Sequence, residues 1–378
     1  MQTLIKNGEI MKNRRASDIL CVALCAVIIF SFAAAIFAKP QQSFSERENR
    51  PLSLFPTPNT ESLLNGRFFA DVTDFYTDQF PLRPFFTALK ANCERVLLRH
   101  ENNGIIFGKN DTLIPRGEID PKTLEKNLSA LRVLQESTGA CICIVPRAVD
   151  VLESKLPSIC DTSVERGAWK YVDKALAERI DVTNTLKTAA YNGEYVWYKT
   201  DHHWTTDGAF VAYAAIAGAL GVPPYPLSEF ERITVSEEFL GTSFSKSGLY
   251  SSACDSVTLY RYDSDTELSV YNYETKDTEK GLYSFDKLTQ KDKYLVFLGG
   301  NYSRITITET SAQRPKLLLI KDSFANALIP FLARHFDLDV IDPRYFVGDI
   351  SELIRSERYD KTLILIGLGT LETTPLRY

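Results

Sequence analysis

Histidine is scarce in this chain, and a basic excess is absent. Only four histidines occur among 378 residues, so any histidine chemistry must be found at His100, His202, His203 or His335. Forty-three Lys plus Arg stand against forty-eight Asp plus Glu, a net charge of -5. That balance excludes the basic stripe of a nucleic-acid binder. The cysteines are few and badly spaced for a framework. Of seven, Cys21 and Cys25 fall in an apolar run, leaving Cys93, Cys141, Cys143, Cys160 and Cys254. An odd set without tight spacing makes neither a disulfide scaffold nor a thiolate metal centre. Cys141 and Cys143 alternate with Ile142 and Ile144, so in a strand both point to one face as small core residues. No internal repeat or low-complexity tract is visible. Gly241 to Gly248 is rich in Gly and Ser but lacks phosphate-loop spacing, and reads as a surface loop.

Uncharged runs are absent too, with one exception. From Ile19 to Ala38 no charged residue occurs, about the 20 residues needed to span a bilayer. Lys12, Arg14 and Arg15 precede it, and Lys39 follows. The basic cluster predicts a cytoplasmic N-terminus, residues 1–17, a membrane anchor over 18–38 and export of the remainder. A cleaved signal peptide ending near Ala33-Ala34-Ala35 also exports the chain, but the run exceeds the usual h-region of about 7–15 residues. Four prolines (Pro40, Pro51, Pro56, Pro58) mark 39–60 as a linker.

Residues 61–378 then read as one α/β domain. Apolar residues recur at helical spacing over 65–99, and 104–114 suggests a hairpin. Helices are expected near 121–137, 166–179 and 207–220. Strands are expected at 141–145, 195–198, 294–298, 316–320, 338–341 and 362–366. Their alternation and continuous apolar strands predict a parallel sheet covered on both faces. Residues 222–292, rich in Ser, Thr, Tyr and charge, read as a β-rich insertion.

Ligands in such sheets bind at the carboxyl ends of strands, and two strand-end loops carry reactive side chains. One is Lys321-Asp322-Ser323-Phe324, where a serine hydroxyl meets amides opening a helix. A plain N-cap serine fits the same position. The other is Lys199 to Thr205, holding Asp201, His202 and His203. In an extended segment Asp201 and His203 share one side, so the carboxylate can orient the imidazole, as in an acyl-transfer triad. His202 should point away, toward packing or a backbone carbonyl. A structural histidine cluster beside a helix cap fits the string as well, and a metal site lacks a fitting third or fourth ligand.

The string Thr200-Asp201-His202-His203-Trp204-Thr205 resembles the signature of the DHHW proteins, a branch similar to SGNH hydrolases of the alginate O-acetyltransferase type. Glu48-Asn49-Arg50-Pro51-Leu52, Asp78-Gln79-Phe80-Pro81-Leu82-Arg83, Gly300-Asn301-Tyr302 and Lys321 to Asn326 extend the resemblance over most of the exported chain. It implies a flavodoxin-like three-layer fold with circularly permuted motif order, since the Asp-x-His element precedes the serine. It also implies Ser323 as nucleophile, His203 as base and Asp201 as orienting acid. SGNH enzymes add a Gly and an Asn as oxyanion donors. The corresponding loops, 342–345 and 367–370, lack the Asn, so donors are sought at the Ser323 or Phe324 amide, Asn301, Arg344 and Tyr345. The activity implied is an extracytoplasmic O-acetyltransferase on hydroxyls of an exported polysaccharide. Its acetyl would come from a membrane-bound O-acyltransferase, and no cofactor or metal is expected. An O-acetylesterase or a silent glycan-binding component on the same scaffold are the alternatives.

Overall fold

The structure is a computed structural model and describes residues 2–309 and 313–376. The chain divides into two compact units, residues 1–90 and 91–378.

In the first unit, helix α1 (Gln2–Ala38) contains Ser17–Ala38, a stretch long and apolar enough to cross a membrane. Its Ile19, Val22, Ile29 and Phe30 are exposed. The side chains of Lys12, Arg14 and Arg15, on which the expected orientation rests, lie outside the described residues. The stretch 39–60, expected as a linker, carries a two-residue ladder pairing Phe44–Ser45 with Arg50–Pro51. Helices α2 (Arg67–Asp78) and α3 (Arg83–Val96) follow. Asp78, ending α2, accepts hydrogen bonds from the Arg50 guanidinium and, at 2.9 Å, from the Ser53 amide. Arg83 pairs with Glu48. The two short motifs around Arg50 and Asp78 thus close on each other.

The second unit is organised by a seven-stranded sheet. Its strands are β1 (Cys141–Val145), β2 (Leu268–Asn272), β3 (Thr278–Lys280), β4 (Arg304–Glu309), β5 (Lys316–Lys321), β6 (Asp337–Ile341) and β7 (Lys361–Gly367). They lie in the order β3-β2-β4-β6-β5-β7-β1. The run β6-β5-β7-β1 is parallel, while β4 pairs antiparallel with β6 and with β2, and β2 with β3. The expected all-parallel sheet is therefore a mixed one. The reason lies in 222–292. That segment is no excursion: after a hairpin of Glu231–Phe239 with Asp255–Arg261 it returns β2 and β3 to the sheet edge. The strand expected at 294–298 is instead a 3-10 turn, Lys293–Val296, closed by Leu298 at φ 65. The segment 195–198 makes only a single bridge, Trp197 to Trp204.

The parallel strands read as unbroken apolar runs because both faces are covered. Leu317 and Leu319 of β5 join one core with Cys143, Val145, Leu363 and Leu365. Leu318 and Ile320 join the other, with Ile142, Ile144, Ile364 and Ile366. Helix α4 (Pro121–Thr138) covers the second face through Leu124, Leu128 and Leu131. It opens on Asp120, whose side chain accepts from the Lys122 amide, with Pro121 at its first turn, and ends on left-handed Gly139. Helix α5 (Thr206–Leu220) covers the first face, capped by Thr205 and stopped by Gly221 at φ 79. From β5 the chain goes to β6 on one side, and later to β7 on the other. The carboxyl end of β5 is thus the sheet's switch point, where a crevice opens.

Candidate active site

Ser323 follows β5 directly at that switch point. It opens a 3-10 turn, Ser323–Ala327, rather than the regular helix expected there. Pro330 lies in the first turn of a separate one-turn helix, Ile329–Leu332, where its missing N–H costs no bond. Asp322, just before the serine, fixes the turn. Its carboxylate accepts from the Phe324 amide at 3.1 Å, the Gly367 amide at 2.8 Å and the Thr370 hydroxyl at 2.7 Å. The Trp204 indole donates to the Phe324 carbonyl at 2.9 Å, and Trp204 is wholly buried.

The structure brings Asp201, His203 and Ser323 into one chain of contacts. His203 Nε2 lies 2.8 Å from the Ser323 hydroxyl, and His203 Nδ1 lies 2.6 Å from Asp201 Oδ2. Asp201 and His203 are both buried. The expectation for His202 fails. Its ring is half-exposed, lines the cleft beside Ser323 and meets the Thr242 hydroxyl through Nδ1 at 2.6 Å. The chain turns here instead of running extended, with the two imidazole centroids 3.8 Å apart.

Charge follows from this packing. For Asp201, burial works against ionisation, but the two imidazoles and their hydrogen bonds hold it well below the usual carboxylate range. Burial and then the neighbouring His202 lower His203 to about 4, against the pull of Asp201. Its Nε2 is therefore an unprotonated acceptor at neutral pH. His202 moves the other way. Burial opposes its charge, but the Asp201 carboxylate raises it. Asp201, His202 and His203 each bring a metal-capable atom within 4.8 Å of the others, yet Nδ1 of both rings is already engaged by Thr242 or Asp201.

Several groups that hold this arrangement were not singled out from the sequence. Asp201 Oδ1 accepts from the Thr242 amide at 2.7 Å and its hydroxyl at 2.8 Å. The segment 241–248, expected as a surface loop, forms the short helix Thr242–Ser247 with Ser243, Phe244 and Ser247 buried. A Cβ on Gly241 would lie 2.3 Å from the Asp201 Cβ, so only glycine allows this approach. Asp255 accepts from the amides of Lys199 and Thr200 at 2.8 and 2.7 Å, and from the Thr200 and Tyr195 hydroxyls, pinning the loop from below. The Tyr294 ring stacks on His203 with centroids 4.0 Å apart and 5° between planes, while its hydroxyl donates to the Ser323 carbonyl at 3.0 Å. A visible Gly-Thr pair hinted at the first of these. Nothing local marked Asp255 or Tyr294.

The residues expected around an oxyanion separate. The Phe324 amide is spent on Asp322. Asn301 Oδ1 accepts from buried Lys321 at 3.0 Å and from Asn326 at 3.2 Å, within a polar network under the sheet end. Burial lowers Lys321 to about 8, against the attraction of Asp342. Tyr345 is exposed and lines no part of the cleft beside Ser323. Arg344 does line it, forked onto buried Asp342 at 2.8 and 2.6 Å. The cleft measures about 350 Å³ and is also walled by Arg147, Lys246, Gly369, Thr370 and Glu372.

Comparison with known proteins places this architecture. A "Probable alginate O-acetylase AlgJ" of Pseudomonas fluorescens is 26% identical over 177 residues, 43% of this chain and 45% of that protein. The chain thus spans about half the length of the curated relatives it matches. Among solved structures, a DHHW family protein from Eubacterium siraeum aligns with a TM-score of 0.57 at 22% identity, covering 72% of this chain and 93% of its own. Bacillus cereus PatB1 aligns with a TM-score of 0.60 at 20% identity, covering 71% and 97%. The family model described as DHHW protein matches residues 122–341, more than half of the chain and all of the Asp201-His202-His203-Trp204 loop. By that match this chain belongs to the DHHW protein family.

Proposed function

We propose that the chain is a membrane-anchored, extracytoplasmic O-acetyltransferase that modifies hydroxyls of a cell-surface polysaccharide. The observation that carries this reading is the continuous contact from Asp201 through His203 to Ser323, at 2.6 and 2.8 Å, at the mouth of a cleft. The names of the curated relatives, probable alginate O-acetylases, support the reaction class. The domain of residues 61–378 is read as SGNH-like in a permuted order, with Asp-x-His before the serine. Residues 1–17 are read as cytoplasmic and 18–38 as the anchor.

In this mechanism the Ser323 hydroxyl attacks the acetyl carbonyl carbon while His203 Nε2 takes its proton. Asp201 holds Nδ1–H and stabilises the imidazolium. The donor's oxygen or sulfur leaves with that proton, and an acetyl-serine ester remains. A glycan hydroxyl then gives its proton to His203 and attacks the ester, and Ser323 recovers its proton as it departs. The carbonyl oxygen is negative at both tetrahedral stages. The Ser323 amide, which opens its turn, and the Gly369–Thr370 loop opposite are the donors we assign to it, with Arg344 supplying positive charge. The acetyl donor is assigned to a membrane-bound O-acyltransferase partner, because acetyl must cross the membrane to reach Ser323.

Ser323→Ala tests the reading. The variant should fold, since loss of a half-buried hydroxyl leaves no cavity, and should lose acetyl transfer by roughly 10⁴–10⁶-fold. The assay follows acetyl release from an aryl acetate and the O-acetyl content of surface polysaccharide in a complemented strain. Full acetylation by Ser323→Ala would point to a silent component. Acetyl loss to water in the presence of an acceptor glycan would point to an esterase.

A further inference from the structure

The motifs around Arg50 and Asp78 take no part in the triad, and what they build lies against the membrane helix. Phe32 of α1 stacks on Phe80, centroids 5.1 Å apart at 8°, and meets Phe86 edge-on at 6.1 Å. Phe80 and Phe86 also touch each other at 5.9 Å, and Phe85 meets Phe86 at 5.4 Å. Despite these contacts Phe80, Leu82, Phe85, Phe86 and Leu89 all remain exposed. Five large apolar residues within ten positions make a patch, which a soluble surface avoids.

The depth of that patch is fixed by Phe32. The apolar stretch ends at Ala38, six residues beyond Phe32, which is about 9 Å along a helix. If Ala38 marks the outer end of the span, Phe32 lies inside the hydrocarbon, and the rings that touch it share its depth. Helices that rest in a bilayer surface bury their apolar face about 5–10 Å, the same range. The charges nearby are neutralised in pairs. Arg83 meets Glu48, and Arg50 meets both Glu48 and Asp78, so the collar enters the boundary without naked charge.

We infer that the turn and first helical residues from Phe80 to Leu89 form a second membrane contact, seated among the acyl chains of the outer leaflet beside α1. This rests on α1 being an anchor. It goes beyond anchorage, because it makes the two Arg–carboxylate motifs the clasp of a lipid-facing collar. A single helix leaves a domain free to rotate and tilt, whereas a helix and a collar fix its base to the surface.

The test uses the full chain in phosphatidylcholine liposomes containing lipids brominated either near the headgroup end or near the tail end of the acyl chain. Tryptophan is introduced as Phe85→Trp, Leu89→Trp, Phe30→Trp or Val164→Trp, and emission is read above the native background. Phe85→Trp and Leu89→Trp should lose most of their added emission to shallow bromines and little to deep ones. Phe30→Trp should respond to deep bromines, and Val164→Trp, in the second unit, to neither. Quenching of Phe30→Trp without quenching of either collar variant overturns the collar alone, and assigns that face to a protein partner. No quenching of Phe30→Trp overturns the anchor as well.

Discussion

On the His203 side of Ser323, polar atoms are engaged at short range. Asp201 is held by Thr242 and His203, the loop below by Asp255, and the imidazole face by Tyr294. On the opposite side a cleft opens, lined by half-exposed Lys246, His202 and Thr370. The two sides illustrate different demands. A base must hold one geometry through every turnover, and rigid support supplies that. An acceptor glycan must enter and leave, so the opposite wall keeps looser polar groups. Where packing is complete, a substitution should act on the chemical step. Where it is open, it should act on binding.

The comparison can be broken from either side. The largest effect after removal of the serine is expected from Asp201→Asn, which frees the wrong His203 tautomer. The rate constant should fall by about 10⁴-fold with KM little changed. A fall in KM alone would show that Asp201 does not orient the base. Gly241→Ala comes next. Its methyl group collides with the Asp201 side chain, and a displacement of that size should lower kcat on the order of 10²-fold. An active Gly241→Ala enzyme would mean that the Asp201 side is softer than its contacts suggest. The acid limb gives a third test. His203 is lowered to about 4 by burial and His202, so it gains a proton only below that value. Activity should hold from neutral pH downward and then fall about tenfold per unit below about 4, measured as kcat/KM with an aryl acetate. A limb near 6.5 would show that His203 titrates as an exposed imidazole does. Lys246→Ala should do least. Its amine is exposed and 3.5 Å from Glu118, so loss should raise KM for the glycan by up to about fivefold and leave kcat alone.

Much of this was readable from single residues. Asp120 with Pro121, Thr205, Gly139 and Gly221 mark helix ends through local chemistry, and α4 and α5 stand within a residue of their expected bounds. Ser323 and His203 were visible because a hydroxyl after an apolar strand and a rare histidine are locally conspicuous. What stayed hidden depends on distant partners. Asp255 reaches the loop across 55 residues, Thr242 reaches Asp201 across 41, and Gly367 reaches Asp322 across 45. The parity argument failed at His202 because it assumed an extended segment, and hydrogen bonding at Asp201 and Asp255 bends this one. The mixed sheet was missed because the edge strands β2 and β3 are short and polar, and an antiparallel edge needs no apolar run.

The hydrogen bonds from Gly367 and Thr370 to Asp322 also set an order in time. The strand that carries Ser323 is central in the parallel run, but its turn is tied down by residues that follow it by more than forty positions. Pairings of that separation close late, since the chain entropy of a long loop must be overcome first. A chain still emerging, with β7 not yet placed, has its serine but not the turn that aims it. The nucleophile therefore matures only when the sheet is whole, and a truncated or half-folded product should have no active serine to misdirect.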